Sequence, residues 1–184
     1  MVIIPLVLII IVVVLYFTFK SLREVLIVLS SIPVALVGGA YSLHFFDDNF
    51  SVAVAVGFIA LFGIAVETGV LMLVYLNNSL YFKLKKQAAE QITNELIEDA
   101  VYEGAVQRLR PKLMTVLVDV IGLLPVLFAT GAGSDVMKPI TIPFVFGLLT
   151  STIFVLIVLP VMYAYVRERE LRKTGKVDYS LMED

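Results

Sequence analysis

Five apolar segments, each long enough to cross or nearly cross a lipid bilayer, constrain this chain more than any other feature of its sequence. They cover residues of about 2–19, 25–45, 50–76, 113–130 and 140–166. At about 1.5 Å per helical residue, each segment covers most or all of the roughly 30 Å of hydrocarbon in a bilayer. The sequence therefore predicts an all-α integral membrane protein with five transmembrane helices.

The composition indicates that lipid surrounds these segments. Hydrophobic residues make up 60% of the 184 and charged residues 16%, whereas soluble domains contain about 45–50% apolar and about 25% charged residues. The chain has no cysteine, which excludes disulfides, thiolate metal sites and a cysteine nucleophile. The partner that these proportions predict is the lipid bilayer, and no nucleic-acid partner is expected.

The basic residues predict the orientation in the membrane. Lys20 and Arg23 lie between the first two segments, and the other basic residues of the same side follow the third segment or the fifth. Those others are Lys83, Lys85, Lys86, Arg108, Arg110, Lys112, Arg167, Arg169, Arg172, Lys173 and Lys176. Only Lys138 falls on the opposite side. By the positive-inside rule the shared side is cytoplasmic, so the N-terminus is expected outside and the C-terminus inside.

The predicted organisation has four parts. Three transmembrane helices occupy residues 1–76, a cytoplasmic loop with an amphipathic helix 77–111, two further helices 112–166, and a cytoplasmic tail 167–184. The loop helix is predicted from apolar or small residues at a spacing of four, namely Ile92, Leu96, Ala100 and Gly104. Thr93 is a candidate cap, and we interpret this helix as a linker lying on the inner membrane surface.

Prolines inside the spans predict kinks. Pro33, Pro125, Pro143 and Pro160 interrupt apolar stretches, and neighbouring helices can satisfy the carbonyl groups that a proline leaves without a donor.

Glu67 is an ionisable residue inside the third segment, within "GFIALFGIAVETGVLML". A carboxylate in hydrocarbon costs between roughly 2.5 and more than 10 kcal/mol, depending on the reference state. On a helical wheel Gly57, Ala60 and Gly63 fall within roughly 80° of Glu67, and small residues on one face allow close approach of another helix. We therefore expect Glu67 to lie on a helix–helix contact face and not towards lipid.

The fourth segment carries a second charged stripe. Lys112, Thr115, Asp119 and Gly122 are separated by three, four and three residues, which keeps them on one side of a helix. Such intramembrane charges pair with one another or line water paths, and proton relays commonly use them. Glu67, Lys112 and Asp119 are therefore the candidate proton-relay residues.

Depth supports that grouping. Glu67 lies about 15 Å from the inner end of its segment near Asn77, and Asp119 lies about 12 Å from Pro111 at the inner end of its own segment.

Two simpler interpretations of these residues stay open. Each carboxyl is a neutral, hydrogen-bonded packing group, and Lys112 only marks the cytoplasmic boundary of its helix.

Methionines are the other candidate site residues. Met137 lies beside Asp135 at the outer end of the fifth segment, and Met72, Met114 and Met162 lie in or near spans. Thioethers are soft ligands that suit Cu(I), but methionine is also a common filler of apolar cores. Spacing alone favours the packing role.

The segments "GFIALFGIAVETGVLMLVYL", "AVYEGAVQRLRPKLMTV" and "GLLPVLFATGAGSDVMKPI", with the opening "PLVLIIIVVVLYFTFKSLREVLIVLSSIPVALVGG", resemble the heavy-metal efflux branch of the resistance-nodulation-division (RND) transporters, the CusA/CzcA type. The resemblance implies that the five spans correspond to helices eight to twelve of twelve. It also implies a proton-driven homotrimer in the bacterial inner membrane, joined to a membrane-fusion adaptor and an outer-membrane channel.

The resemblance also implies roles for three residues. Glu67, in "AVETGV", matches the acidic relay residue of the tenth helix, and Lys112, in "RPKLMT", matches the relay lysine of the eleventh. Met137, in "GSDVMKP", matches one methionine of the relay that passes Cu(I) or Ag(I) in copper and silver members. Asp119 is outside the family's relay pattern.

The family pattern is also incomplete here. A large periplasmic porter domain and seven preceding helices, including an acidic partner in the fourth, have no counterpart in this sequence. We therefore expect a fragment of a proton-driven copper or silver efflux transporter, without enzyme activity and without a bound cofactor, completed by the missing N-terminal half.

Two other classes of protein are alternatives. The first is a non-transporting membrane scaffold or assembly subunit, which would need the helices but no titrating carboxylate. The second is an intramembrane enzyme, for which Ser30, Ser31 and His44 are the available nucleophile and base types. No GxSxG motif or carboxylate pair accompanies them.

Overall fold

A computed structural model describes residues 3–47, 49–86 and 94–174, and every regular element in these ranges is a helix. The helices are α1 (Ile3–Phe19), α2 (Leu22–Leu29), α3 (Ser31–Phe45), α4 (Val52–Lys86), α5 (Asn94–Phe128) and α6 (Ser134–Thr174). The predicted all-α architecture is confirmed.

Four helical stretches are long and apolar enough to cross a membrane: Leu22–Phe45, Val52–Lys85, Glu95–Phe128 and Ser134–Arg172. The remaining predicted span is α1, which has 17 residues and reaches about 25 Å at 1.5 Å per residue. It carries no charged residue and has the lower limit of length for a transmembrane helix.

The second predicted span consists of two helices separated only by Ser30. Pro33 lies four residues after Leu29, the last residue of α2, and a proline ring clashes with the carbonyl group four positions earlier. The predicted irregularity at Pro33 therefore takes the form of a helix break. By contrast, α5 continues through Pro125, and α6 continues through Pro143 and Pro160.

The segment 77–111 differs from the predicted surface linker because α4 and α5 extend into it from both sides. Each has 35 residues, or about 52 Å, which exceeds the hydrocarbon thickness. The two extensions pack together: the Ser79 hydroxyl donates to the Ala100 carbonyl oxygen at 2.7 Å, and Gly104 lies against Leu76. The apolar side of this helix, with Ile97 buried, therefore faces α4 and not a membrane surface. Ile92 and Thr93 lie outside the described residues.

The helix α6 forms the centre of the bundle and contacts α2, α3, α4 and α5. Glycines allow its close packing: a Cβ on Gly147 would clash with Leu61 and lie 2.9 Å from the Ala35 carbonyl oxygen. One core lies at this level, around Leu61 and Leu148, and a larger one lies around Leu76 and Leu159. One side of α4 and one side of α5 have no other described helix packed against them, and the predicted proton-relay residues lie there.

Candidate functional site

Glu67 lies on α4, and its side chain is exposed in this chain. Ala60 and Gly63, on the same face, are exposed as well, and a Cβ on Gly63 would meet nothing within 4 Å. Within the described residues no helix covers this face at Glu67, because α6 and α5 pack against other sides of α4 at this depth. That Glu67 lies on a helix contact therefore stays a prediction.

Gly57 is the exception on that face. It is buried, and a Cβ there would clash with the Ile140 carbonyl oxygen of α6 and lie 3.0 Å from the Pro143 side chain. The small-residue face therefore serves as a helix contact at its Gly57 end and is open from Ala60 to Glu67.

Lys112 reaches from α5 to α4 through a single hydrogen bond. Its Nζ donates to Thr68 Oγ1 at 2.6 Å, and the Thr68 hydroxyl donates in turn to the Ile64 carbonyl oxygen at 2.7 Å. Thr68 is 5% exposed, so this bond is made on the packed side of α4, next to the open face that carries Glu67.

The predicted relay residues are brought to one region between α4 and α5. The charges of Glu67, Asp119 and Arg108 all act on Lys112. In the described part of the chain, however, neither carboxylate forms a contact ion pair with Lys112. The ammonium is held by the neutral hydroxyl of Thr68.

The α5 side of this region is open as well. Thr115 and Gly122 are exposed and Asp119 is half-buried, while Val116 is buried against the core. The exposed apolar residues of the same helix are Leu113, Met114, Leu117, Val118, Ile121, Leu124 and Phe128. Carboxylates on a bare apolar surface are unfavourable in lipid, so this surface requires a further protein element or a water path against it. We call the face formed by Ala60, Gly63, Glu67, Asp119 and Gly122 the open charged face.

Met137 lies in the first turn of α6 and is 56% exposed. Three residues further on, Ile140 contacts Gly57, and Glu67 is ten residues beyond Gly57, about 15 Å deeper along α4. Within the described ranges no group of three or more His, Asp or Glu side chains could hold a metal ion. Met137 is thus a separate position near the end of the bundle and not a neighbour of Glu67.

A buried polar cluster, which the sequence analysis missed, joins three helices. Glu24 of α2 and Arg167 of α6 are each 4% exposed and form an ion pair. Asn77 of α4 donates to Glu24 at 2.9 Å and accepts from Tyr163 and, at 3.2 Å, from Arg167. Glu170 accepts from Arg167 at 3.0 Å. An acidic residue directly before the apolar run "VLIVLS" was the available sequence signal, because such a residue needs a buried partner.

The residues considered for enzyme chemistry are not assembled into a site. Ser30 and Ser31 donate to the carbonyl oxygens of Ile27 and Val28, at 2.6 and 2.7 Å. His44 lies thirteen residues along α3 from Ser31, about 20 Å away, and is exposed. The serines therefore satisfy helix carbonyls and have no base beside them.

Comparison with known proteins gives a consistent result. The sequence profile of the AcrB/AcrD/AcrF family matches residues 1–167. The chain is 42% identical to the cation efflux system protein CusA of Escherichia coli K12 over 160 residues, which are 87% of this chain and 15% of CusA. It is 36% identical to the cobalt-zinc-cadmium resistance protein CzcA of Cupriavidus metallidurans over 169 residues, 92% of this chain and 15% of CzcA.

The fold is similar to that of solved transporters as well. A crystal structure of a heavy metal efflux pump superposes with a TM-score of 0.77 and 39% sequence identity, covering 91% of this chain and 16% of the pump. The chain thus spans only about a sixth of the length of the proteins it matches.

Proposed function

We propose that the open charged face of this chain, which belongs to the AcrB/AcrD/AcrF family, couples proton flow to the export of Cu(I) or Ag(I). Within that family the chain is a segment of a CusA/CzcA-type RND transporter. The observation that supports this proposal best is the arrangement around Lys112: an ammonium held by a hydroxyl in a membrane-spanning segment, with the charges of two carboxylates acting on it. Ionisable groups placed in this way are typical of proton pathways.

The proposed cycle starts with a proton arriving at a Glu67 carboxylate oxygen from the outer side. The neutral carboxyl no longer attracts the Lys112 ammonium, so the relative position of α4 and α5 changes. Release of the proton towards the inner side restores the negative charge and the first arrangement. Asp119, half-buried on α5, is the proposed second acceptor, because its charge also acts on Lys112.

The open charged face also supports a proposal about partners. A complete transporter would cover Glu67 and Asp119 with helices that this chain does not contain, which would take both carboxylates out of lipid contact. By resemblance to the family, we propose an inner-membrane homotrimer with a periplasmic porter domain, a membrane-fusion adaptor and an outer-membrane channel.

The identity of the cargo rests on Met137. Its thioether is exposed at the end of α6 opposite to Arg167, where a soft ion could reach it, and soft ligands favour Cu(I) and Ag(I) over Zn²⁺ or Co²⁺. Replacing Met137 with leucine should lower silver resistance while leaving the fold intact. Met114→Leu is the matched control, because Met114 is 61% exposed on a different helix. Equal resistance in both variants would remove Met137 from the cargo path.

The experiment uses CusA in which the homologous segment is replaced by this chain, which we call the chimera. It is expressed in a host that lacks its own cation efflux system. Growth on copper and silver is compared for the chimera, its Glu67→Gln variant and its Glu98→Gln variant. Glu98 is an exposed carboxylate on α5 far from the open charged face, so it controls for loss of one negative charge.

The proposal predicts resistance in the chimera and in Glu98→Gln, and none in Glu67→Gln despite equal expression. Resistance in both variants would make Glu67 a structural residue and favour a membrane scaffold. A well-expressed chimera without resistance to either metal would contradict the assignment of the cargo.

A further inference from the structure

We propose that Thr68 is a positioning residue that holds the Lys112 ammonium against α4, next to the residue Glu67. The inference rests on the proposed function, because it specifies how the lysine of that site is kept in place. Thr68 carries no charge and lies next to the acid in the sequence, and its hydroxyl is the group that Lys112 contacts in the structure.

The direction of the two hydrogen bonds is fixed by chemistry. An ammonium group can only donate, whereas a threonine hydroxyl has one proton and two acceptor lone pairs. The hydroxyl proton of Thr68 goes to the Ile64 carbonyl oxygen at 2.7 Å. A lone pair of Oγ1 is therefore available to accept the hydrogen bond from Lys112, with 2.6 Å between Nζ and Oγ1.

The surroundings explain why such a holder is needed. A small cavity beside the pair is lined by Thr68, Met72, Arg108, Lys112, Val155 and Leu156. Apart from the Thr68–Lys112 pair itself, the lining of this cavity is apolar or positively charged. A charged group in such a place is costly without a hydrogen-bond partner. Arg108, the second cation of this lining, lies over the Tyr75 ring, with 4.7 Å between the guanidinium carbon and the ring centroid.

The neutrality of Thr68 has a functional consequence. A carboxylate holding Lys112 directly would lock one charge pair, whereas a hydroxyl leaves the ammonium free to respond to Glu67 and Asp119 in turn. Thr68 and Glu67 are consecutive on α4 and diverge by about 100°. A rotation of α4 that follows protonation of Glu67 therefore also moves the group that holds Lys112.

The test compares Thr68→Val with Thr68→Ser in the chimera. Valine keeps the shape of threonine and removes the acceptor, while serine keeps the hydroxyl and removes the methyl group. We expect silver-driven proton flux in proteoliposomes to fall about tenfold in Thr68→Val, as loss of a hydrogen bond to a charged group implies. Thr68→Ser should retain at least half of the flux.

A second readout does not depend on transport. A membrane-permeant acylating reagent modifies lysine amines, and mass spectrometry of the digested chimera reports the rate at Lys112. Thr68→Val should speed this modification several-fold, because the amine loses its hydrogen-bond partner, and Thr68→Ser should leave the rate unchanged. Lys85, which is exposed, provides the reference rate in the same sample.

The outcomes separate this inference from the proposed function. Unchanged flux and labelling in Thr68→Val would overturn the positioning role, as would equal losses in the valine and serine variants, which would indicate packing alone. Full flux in Glu67→Gln would instead overturn the proposed function itself.

Discussion

Glu24 and Arg167, which lie 143 residues apart in the sequence, form an ion pair inside the bundle where α2 meets α6. Each side chain is 5% exposed, and Asn77 adds a hydrogen bond from α4. Among the described residues, every buried side-chain nitrogen and oxygen atom has a partner. The pair and Asn77 thus tie α2, α4 and α6 together at the end of the bundle that carries Arg167.

Removing one member of this pair should destabilise the chain strongly. Arg167→Ala leaves the Glu24 carboxylate buried without its cation, which typically costs about 3–5 kcal/mol. Thermal unfolding of the purified chimera in detergent measures the effect. The matched control is Arg169→Ala, since Arg169 is exposed and lies over the Tyr165 ring, and it should cost about 1 kcal/mol or less. Equal shifts in the two variants would show that the ion pair adds nothing to stability.

Replacing two glycines of α4 with alanine should have opposite effects on the stability of the fold. Gly57→Ala places a methyl group against the Ile140 carbonyl oxygen, and such overpacking costs about 1–3 kcal/mol. Gly63→Ala meets open space and should stabilise the helix by up to about 1 kcal/mol. Unfolding of the purified 184-residue chain in detergent gives both values. A loss of stability in Gly63→Ala as large as that in Gly57→Ala would contradict the open face.

The orientation can be tested with single cysteines, because the chain has none of its own. Ala132→Cys, in the turn before α6, should react with a membrane-impermeant maleimide added outside right-side-out vesicles. Lys85→Cys, near the end of α4, should react only after the vesicles are opened, since basic ends face the cytoplasm. The opposite labelling pattern would invert the proposed topology.

The helices were predictable from the sequence because their signal is local. An apolar run that is long enough to cross a membrane predicts a helix, whichever elements pack against it. Pro33 predicted a kink in the second span, but the separation into two helices at Ser30 was not predicted, because the neighbouring helices decide whether a proline bends a helix or ends it. The packing of 94–111 against α4 was not predicted, because the spacing of Leu96 and Ala100 does not tell which surface covers them.

The candidate site was predictable only in part. Charge inside an apolar run identified Glu67, Lys112 and Asp119, and helical periodicity placed Lys112 and Asp119 on one side of α5. The contact between Lys112 and Thr68 depends on the rotation of α5 relative to α4, and no pattern within either helix encodes it. A threonine in a helix is too common to indicate such a role by itself. The Glu24–Arg167 pair was missed for the same reason, since its partners lie on helices from opposite ends of the chain.

The most direct test of the central claim is proton flux across the membrane. The chimera is placed in proteoliposomes with a pH-sensitive dye in the lumen, and silver is added together with a pH gradient. We predict that silver changes the lumenal pH with the chimera and with Glu98→Gln, and that Glu67→Gln shows no silver-dependent change. Silver-dependent proton flux of equal size in Glu67→Gln would contradict the account, because the proton would then cross without the carboxylate proposed to carry it.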